Sequence, residues 1–444
     1  MKTEIRLSIS EKTPFAGGME FGTTGPYERI KGRVHFAVDP GEQAYSGITD
    51  LDKAPRNEKG LVDYCTDFLI LKPLELEKGN RRIFFDWGNR GNIRALQFFN
   101  DAVGSNDPKT LDEAGNGFLF RRGYCVVFAG WQGDLLAGNG RFLMDLPVAT
   151  DQRKSITGLV RCEYILEEEG VTTQPLSGWA STRSHPTVSL DTRQATLTRR
   201  QYGDSPRVVI PPDQLIFARD EGGSGLDGVS KQTAIVSSDS NLYLPGGFEP
   251  GWIYELVYTG KDPLVLGLGH TAVRDFISFL KYDTSDDEGT PNPLGSGMIE
   301  KAYGWGRSQT GRAIRDFVYH GYNEDLNGWK VFDGLLEGSW DDALPFDERR
   351  TKCRDARSER RNEPVCAPLE ETVDVGPAKW LAARLRSHTT GPFLAAFGLR
   401  RPHAPCSGEM AAPPMPERRK EGRRSPRSPV PDMLGPVSYT HLTL

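Results

Sequence analysis

The chain has 444 residues, of which 37% are hydrophobic and 26% are charged. Its 55 basic and 60 acidic residues give a formal net charge of −5, which argues against a nucleic-acid binder, because such proteins carry a basic face. Its apolar runs reach only about eight residues, whereas a membrane helix needs ~20.

The cysteines and the first residues indicate in which cellular compartment the chain is expected. The six cysteines are far apart and form no C-x-x-C pair, which is typical of free thiols in a reducing compartment rather than of disulfides or a zinc site. The first six residues contain no apolar core of the kind that a secretory signal needs. We therefore expect a cytoplasmic protein without a structural metal.

Predicted elements alternate along the chain. The first 75 residues consist of strand-like runs and turns. Four apolar runs bounded by turn residues then predict buried strands, at residues 82–86, 123–130, 253–258 and 301–305. One-sided apolar periodicity predicts a helix at about 271–282 and a second one from about Ala313 to a stop at Gly321. Alternating strands and helices predict an α/β fold, with a mainly parallel sheet covered by helices on both faces.

Two regions depart from this pattern. Residues about 150–250 alternate Thr, Val, Leu and Arg, which predicts a β-rich insertion. Residues 337–444 hold 14 of the 31 prolines and no isoleucine, so they bury too little apolar surface to become ordered. Residues 437–442 also resemble a translated sequencing adaptor. We predict one domain over residues 1–336 and an out-of-frame, low-order tail at 337–444 that does not join the sheet; a genuine partner-binding tail is the alternative.

The run Gly306-Arg307-Ser308-Gln309-Thr310-Gly311 could carry chemistry, because it follows the fourth strand and opens the second helix. A nucleophile at such a turn needs small neighbours two residues away on either side. Gly306 meets this need, whereas Thr310 is larger than the usual glycine. The turn would expose Ser308 Oγ and direct the backbone N–H of Gln309 at a substrate carbonyl. The alternative is an ordinary turn.

Two loops could complete such a site. The loop at residues 87–92 follows the first buried strand, where the backbone N–H of Asn89 could supply the second oxyanion donor. Residues 131–134 follow the second buried strand and either line the site or cap the sheet.

The run at 303–334 resembles a bacterial, largely uncharacterised family of α/β-hydrolase-domain proteins. So do FAGGMEFGTTGPYERIKGRVHFAVDP near the start, NRGN at 89–92, GWQGD at 130–134 and LPGGFEPGWIYELVY at 244–258. The resemblance spans residues 1–336 in order. It implies the α/β-hydrolase fold, with Ser308 at the nucleophile position, but it does not supply a substrate. We expect serine-dependent hydrolysis of a small-molecule ester or amide.

Enzymes of this fold order their triad as Ser, acid, His. His320 lies 12 residues after Ser308 on the same helix, ~18 Å of rise, whereas a base must lie within ~3 Å of the hydroxyl. Asp333 ends a predicted strand at 329–333 and is a weak candidate for the acid. Among the other histidines, those at positions 388 and 403 lie in the tail, and those at 35, 185 and 270 precede the serine. The sequence thus predicts a serine hydrolase whose base and acid are missing; a non-catalytic small-molecule-binding protein on this scaffold is the alternative.

A run resembling a dinucleotide fingerprint occurs at residues 264–272, as an apolar stretch followed by G-x-G-x-x-A. That motif requires a following strand that ends in an acidic residue. A loop at 285–289 follows instead. We therefore expect no cofactor, and the oligomeric state stays open.

Overall fold

The computed structural model describes residues 3–177, 181–221, 234–337 and 393–396. In chain order its strands are β1 (Glu4–Pro14), β2 (Tyr27–Val38), β3 (Val62–Pro73), β4 (Arg82–Trp87), β5 (Cys125–Ala129), β6 (Met144–Asp145), β7 (Thr150–Asp151), β8 (Lys154–Ser155), β9 (Thr157–Ile165), β10 (Thr173–Pro175), β11 (Thr196–Arg200), β12 (Val208–Ile210), β13 (Ala218–Glu221), β14 (Ala234–Ser237), β15 (Asn241–Tyr243), β16 (Ile253–Lys261), β17 (Lys301–Gly306), β18 (Gly334–Glu337) and β19 (Phe393–Ala396). The α-helices are α1 (Ala95–Asn100), α2 (Leu111–Ala114), α3 (Phe118–Arg121), α4 (Leu268–Tyr282) and α5 (Gln309–Tyr319). Short 3₁₀ helices lie at Phe15–Gly18, Gly22–Thr24, Gln43–Tyr45, Leu51–Lys53, Leu76–Lys78, Thr192–Gln194 and Pro212–Gln214.

The main sheet is mixed. Its strand order is β1-β2-β3-β5-β4-β17-β18-β19, with β6 beside β3. The pairs from β1 to β5 are antiparallel, and the pairs from β5 to β19 are parallel. The prediction of a mainly parallel sheet therefore describes one half of the sheet only.

The parallel half is covered on both faces. Strands β4 and β5 are buried along almost their whole length, as expected for parallel strands between two layers of helices. Helices α1, α2 and α3 pack on one face, and α4 and α5 pack on the other. Side chains of β4 alternate between the two layers, so Phe84 belongs to one core and Phe85 to the other.

Helix α4 is buried nearly all round, including its charged residues. The Arg274 guanidinium pairs with Asp275, with Nε 2.6 Å from Oδ1, and also contacts the Tyr45 ring. Lys281 Nζ donates to the carbonyl oxygens of Lys330 and Val331. Because buried charges need partners, these contacts explain how a helix with charged residues can occupy the core.

A second sheet forms from residues 157–261. Its order is β12-β11-β16-β9 and all its pairs are antiparallel, with a core of its own. We expected residues 253–258 to form a strand of the main sheet, and this prediction is wrong. Along β16, buried and half-buried residues alternate strictly, which is the pattern of a strand with one covered face in an antiparallel sheet.

The carboxyl-terminal edge also differs from expectation. Residues 329–333 do not form a strand. Lys330 only makes an isolated antiparallel bridge with Glu324, across a turn in which Asp325 Oδ1 accepts the backbone N–H groups of Asn327 and Trp329. The strand follows directly, as β18. Strand β19, which lies in the predicted tail, pairs with β18 in parallel. The prediction that no tail residue joins the sheet is therefore wrong; the remaining tail residues lie outside the described part of the chain.

Candidate functional site

Three loops meet at the carboxyl edge of β4, β5 and β17. Trp131 Nε1, after β5, donates to the carbonyl oxygen of Gly88, after β4, at 2.8 Å. Asn89 Nδ2 donates to the carbonyl oxygen of Arg307 at 3.4 Å, which ties the loop after β4 to the turn after β17. In α/β sheets this edge is the usual place for ligand sites.

Ser308 occupies the turn between β17 and α5. Its backbone has φ 58° and ψ −120°, a conformation that residues with a side chain rarely adopt, and its side chain is exposed. Holding a residue there costs about 1–3 kcal/mol, which the surrounding structure must offset. The strain is typical of a turn whose task is to present one side chain, and it supports the predicted role of Ser308.

Close packing fixes the turn. A Cβ at Gly306 would lie 2.8 Å from both the carbonyl oxygen and Oγ1 of Thr310, so only glycine fits there. Thr310 Oγ1 accepts the backbone N–H of Arg307 at 2.8 Å and donates to the Arg307 carbonyl oxygen at 3.1 Å. The threonine that stands where glycine is usual therefore closes the turn with its hydroxyl group.

The two predicted oxyanion donors differ in availability. Gln309 is the first residue of α5, and backbone N–H groups of a first helical turn have no partner within the helix. The backbone N–H of Asn89, by contrast, donates to the carbonyl oxygen of Asn92 at 2.9 Å. Asn89 therefore cannot supply the second donor in this conformation, because the tight turn at 89–92 uses that N–H internally.

Two carboxylates lie at the ends of β18, and only the second of them lies near the turn. Asp333 lies at the opposite end of β17, where its Oδ2 accepts the Ala302 backbone N–H at 3.0 Å and pairs with Lys281 at 3.2 Å. Its role is structural. Glu337, fully buried at the end of β18, lies against the first turn of α5, since a Cβ at Gly311 would meet its Oε1 at 2.8 Å. Sequence reasoning missed Glu337 because it assigned this residue to the tail.

Among the described residues, no histidine forms a hydrogen bond with Ser308 Oγ. His320 follows the last turn of α5, as predicted. His35 bonds Ser8 on the antiparallel half of the sheet. His270 stacks parallel to the Trp131 ring at 6.2 Å, and its Nδ1 has no partner among the described residues. Burial, together with nearby His320, lowers the pKa of His270 to about 4, so its imidazole is neutral at pH 7.

Asp86 is a buried carboxyl within β4, beside the same edge. Its Oδ2 accepts the backbone N–H groups of Arg94 and Ala95 at 2.6 and 2.7 Å, while Oδ1 has no partner among the described residues. Burial raises the pKa of Asp86 to about 7, although these two hydrogen bonds oppose the shift. An acidic residue inside an otherwise apolar predicted strand was the sequence signal that could have revealed it.

Side-chain amides connect the turn to the loop after β5. Gln309 Nε2 donates to Gln132 Oε1 at 3.3 Å, and Gln132 Nε2 donates to Asp134 Oδ1 at 2.9 Å. Asp134 also lines a cavity of about 440 Å³ between this loop and strands β10 and β15. The structure thus places residues 131–134 beside the candidate site.

Comparison with known proteins gives one match. Residues 228–376 are similar to a family described as "Alpha/beta hydrolase domain", a match that covers about a third of the chain and includes α4, β17, α5 and β18. No curated protein and no solved structure matches the chain. The match supports a hydrolase-type scaffold. It leaves out the amino-terminal motifs, and it extends beyond Leu336, so a frame change directly after that residue stays a prediction.

No helix in the described part of the chain combines the length and the apolar character that a membrane crossing requires. Within the same residues, no group of three or more His, Cys, Asp or Glu side chains is arranged to hold a metal ion.

Proposed function

We propose that this chain is built as a serine hydrolase that acts on an ester or amide, with Ser308 as the nucleophile. The observation that carries the proposal is the strained backbone and exposed side chain of Ser308, between a buried strand and a helix. Enzymes that use a serine nucleophile on an α/β sheet need this geometry, because it lifts the hydroxyl above the edge of the sheet.

The chemistry follows from the turn. Ser308 Oγ attacks the substrate carbonyl carbon, and negative charge develops on the carbonyl oxygen. The hydroxyl proton must pass to a general base, a role that none of the described histidines fills. The backbone N–H of Gln309 and the N-terminus of α5 stabilise that oxyanion. Cleavage of the C–O or C–N bond releases the protonated leaving group, and water then hydrolyses the acyl-serine.

A covalent probe tests the nucleophile. We expect a fluorophosphonate reagent to label the full chain at Ser308, slowly because no described histidine activates the hydroxyl, and the Ser308→Ala variant to remain unlabelled. Ser10→Ala, at a serine in β1, is the matched control and should label normally. Label that persists on the Ser308→Ala variant would disprove the proposed role.

The second candidate function is non-catalytic binding of a small molecule. It is favoured by one observation: none of the described histidines bonds Ser308, although Asp134, which two hydrogen bonds connect to Gln309, lines a cavity of ligand size. Without a triad base, turnover should fall on the order of 10³-fold or more. Absence of both labelling and ester hydrolysis in the folded chain would favour this candidate.

A further inference from the structure

The cavity beside the site is formed where the loop after β5 meets the insertion. Leu135 forms an antiparallel bridge with Thr182, and the backbone N–H of Leu136 donates to the carbonyl oxygen of Ser181 at 3.0 Å. The Arg183 backbone N–H donates to the carbonyl oxygen of Asp134 at 2.5 Å. This pairing fixes one wall of the cavity to the loop that reaches Gln309.

The volume of the cavity suits a small organic group. It measures about 440 Å³, within the range of ~300–1,000 Å³ that is typical of small-molecule sites. Much of its lining is aliphatic or proline: Leu136, Val148, Pro175, Pro186, Leu264 and Leu266. Burial of apolar ligand surface against such a wall is the main source of affinity.

Charged side chains limit what the cavity accepts. Two carboxylates line it: Asp134 accepts from Gln132, and Asp262 accepts from Ser155 Oγ at 2.6 Å. Arg183 and His185 also line it, but Arg183 is exposed to solvent. A ligand carboxylate placed there would meet two like charges and one opposite charge, which leaves a net repulsion.

We infer that this cavity binds the neutral, aliphatic part of the substrate, a group of several carbon atoms attached to the scissile carbonyl. The inference rests on the proposed function, in which Ser308 attacks that carbonyl. Hydrogen bonds from Gln309 to Gln132 and from Gln132 to Asp134 connect the cavity wall to the residue next to Ser308. An acidic acyl group is excluded from the same cavity.

Binding to the Ser308→Ala chain tests the ligand class without turnover. Calorimetry would compare acetamide, butanamide and hexanamide with the monoamide of adipic acid, which has six carbons like hexanamide but ends in a carboxylate. We expect affinity to rise up to about fourfold for each added methylene. The adipic acid monoamide should bind at least tenfold more weakly than hexanamide.

Cavity variants locate the binding. Leu266→Trp fills the cavity and should weaken hexanamide binding at least tenfold, whereas Leu266→Ala enlarges it and should favour a chain longer by one or two methylenes. Leu159→Trp is the control, because Leu159 is 69% exposed on β9. If Leu266→Trp fails to fold, the preference of Leu266→Ala for longer amides tests the inference instead. Equal binding in all variants, preference for the carboxylate, or no amide binding would overturn the inference.

Labelling kinetics separate this inference from the proposed function. Leu266→Trp should slow the reaction of Ser308 with an octyl fluorophosphonate at least tenfold more than the reaction with a methyl fluorophosphonate, whereas Leu159→Trp should change neither. Equal slowing of both reagents, or of neither, would contradict the inference while Ser308 remains the nucleophile. If Ser308 reacts with neither reagent in the parent chain, the proposed function fails, and the calorimetry still decides which ligands the cavity binds.

Discussion

The parallel edge of the main sheet and the second sheet differ in their backbone strain and in how their carboxylates are paired. At the parallel edge, Ser308 and Arg90 hold positive φ angles of 58° and 48°, and Asp86 is buried without an ionic partner in the described residues. On the second sheet, Glu255 receives hydrogen bonds from Arg161 and Arg207 at the surface. The first arrangement costs more folding free energy than the second, so backbone strain and an unpaired buried carboxyl occur together where we propose chemistry.

Two of the other positive φ angles have a simpler cause. Gln152 and Arg153 also adopt them, with φ of 48° and 66°, but they form the two-residue turn between β7 and β8. Tight hairpins of this kind require positive φ at both central residues. No hairpin surrounds Ser308, so its strain needs another reason, and presentation of the hydroxyl supplies one.

The largest effect is expected at Asp86. The folded chain keeps its proton up to about pH 7, whereas an unfolded aspartate releases it near pH ~3.9. Because the folded state binds the proton more tightly, the stability of the native chain falls as the pH rises from about 4 to 7. Asp86→Asn removes this dependence and keeps an oxygen for the Arg94 and Ala95 N–H groups. The variant should gain about 4 kcal/mol over the native chain at pH 8, but under about 1 kcal/mol at pH 4.

Urea unfolding between pH 4 and pH 8 would measure this difference. Asp151→Asn is the control, since Asp151 is exposed in the β7–β8 hairpin and its replacement should change little. A constant difference between the Asp86→Asn variant and the native chain across this range would show that Asp86 is ionised in the fold.

The next effect concerns the turn itself. Gly306→Ala places a Cβ 2.8 Å from Thr310 backbone and side-chain oxygens, so the turn must shift. We expect a loss of about 1–3 kcal/mol in the free energy of unfolding and slower fluorophosphonate labelling of Ser308. Gly158→Ala, in β9, meets no atom within 4 Å and should be neutral in both measurements. Normal labelling in Gly306→Ala would mean that the turn tolerates displacement.

The same comparison explains what the sequence could predict. Ser308 and the strand before it follow from local signals, a short apolar run and glycine spacing, and the structure places both as expected. The insertion was foreseen as β-rich, but β16 was assigned to the wrong sheet, because its apolar residues outweighed the period-two pattern set by Glu255 and Thr259. Local patterns specify elements, whereas the choice between two sheets depends on which face becomes covered.

The remainder of the site depends on contacts distant in sequence. The backbone N–H of Asn89 is not available as an oxyanion donor, because it donates to Asn92 within a tight turn. No rule of residue spacing predicts such a hydrogen bond. The path from Gln309 through Gln132 to Asp134 joins residues about 175 positions apart, so only the fold brings them together. The buried Glu337 was not predicted to lie near the site, because the composition beyond Leu336 indicated a tail.

The smallest effect is expected on the second sheet. Arg161 Nε lies 2.7 Å from Glu255 Oε2, but the Arg161 side chain is 49% exposed, and Arg207 donates to the same carboxylate. An exposed ion pair gains little in water, and the second arginine remains after the first is removed. Arg161→Ala should therefore cost less than about 1 kcal/mol in unfolding free energy. The cost should shrink further in 1 M salt, where charges are screened within ~3 Å. A loss of several kcal/mol that persists in high salt would show that Arg161 stabilises the second sheet by packing rather than by charge, and the contrast with the parallel edge would then lose its basis.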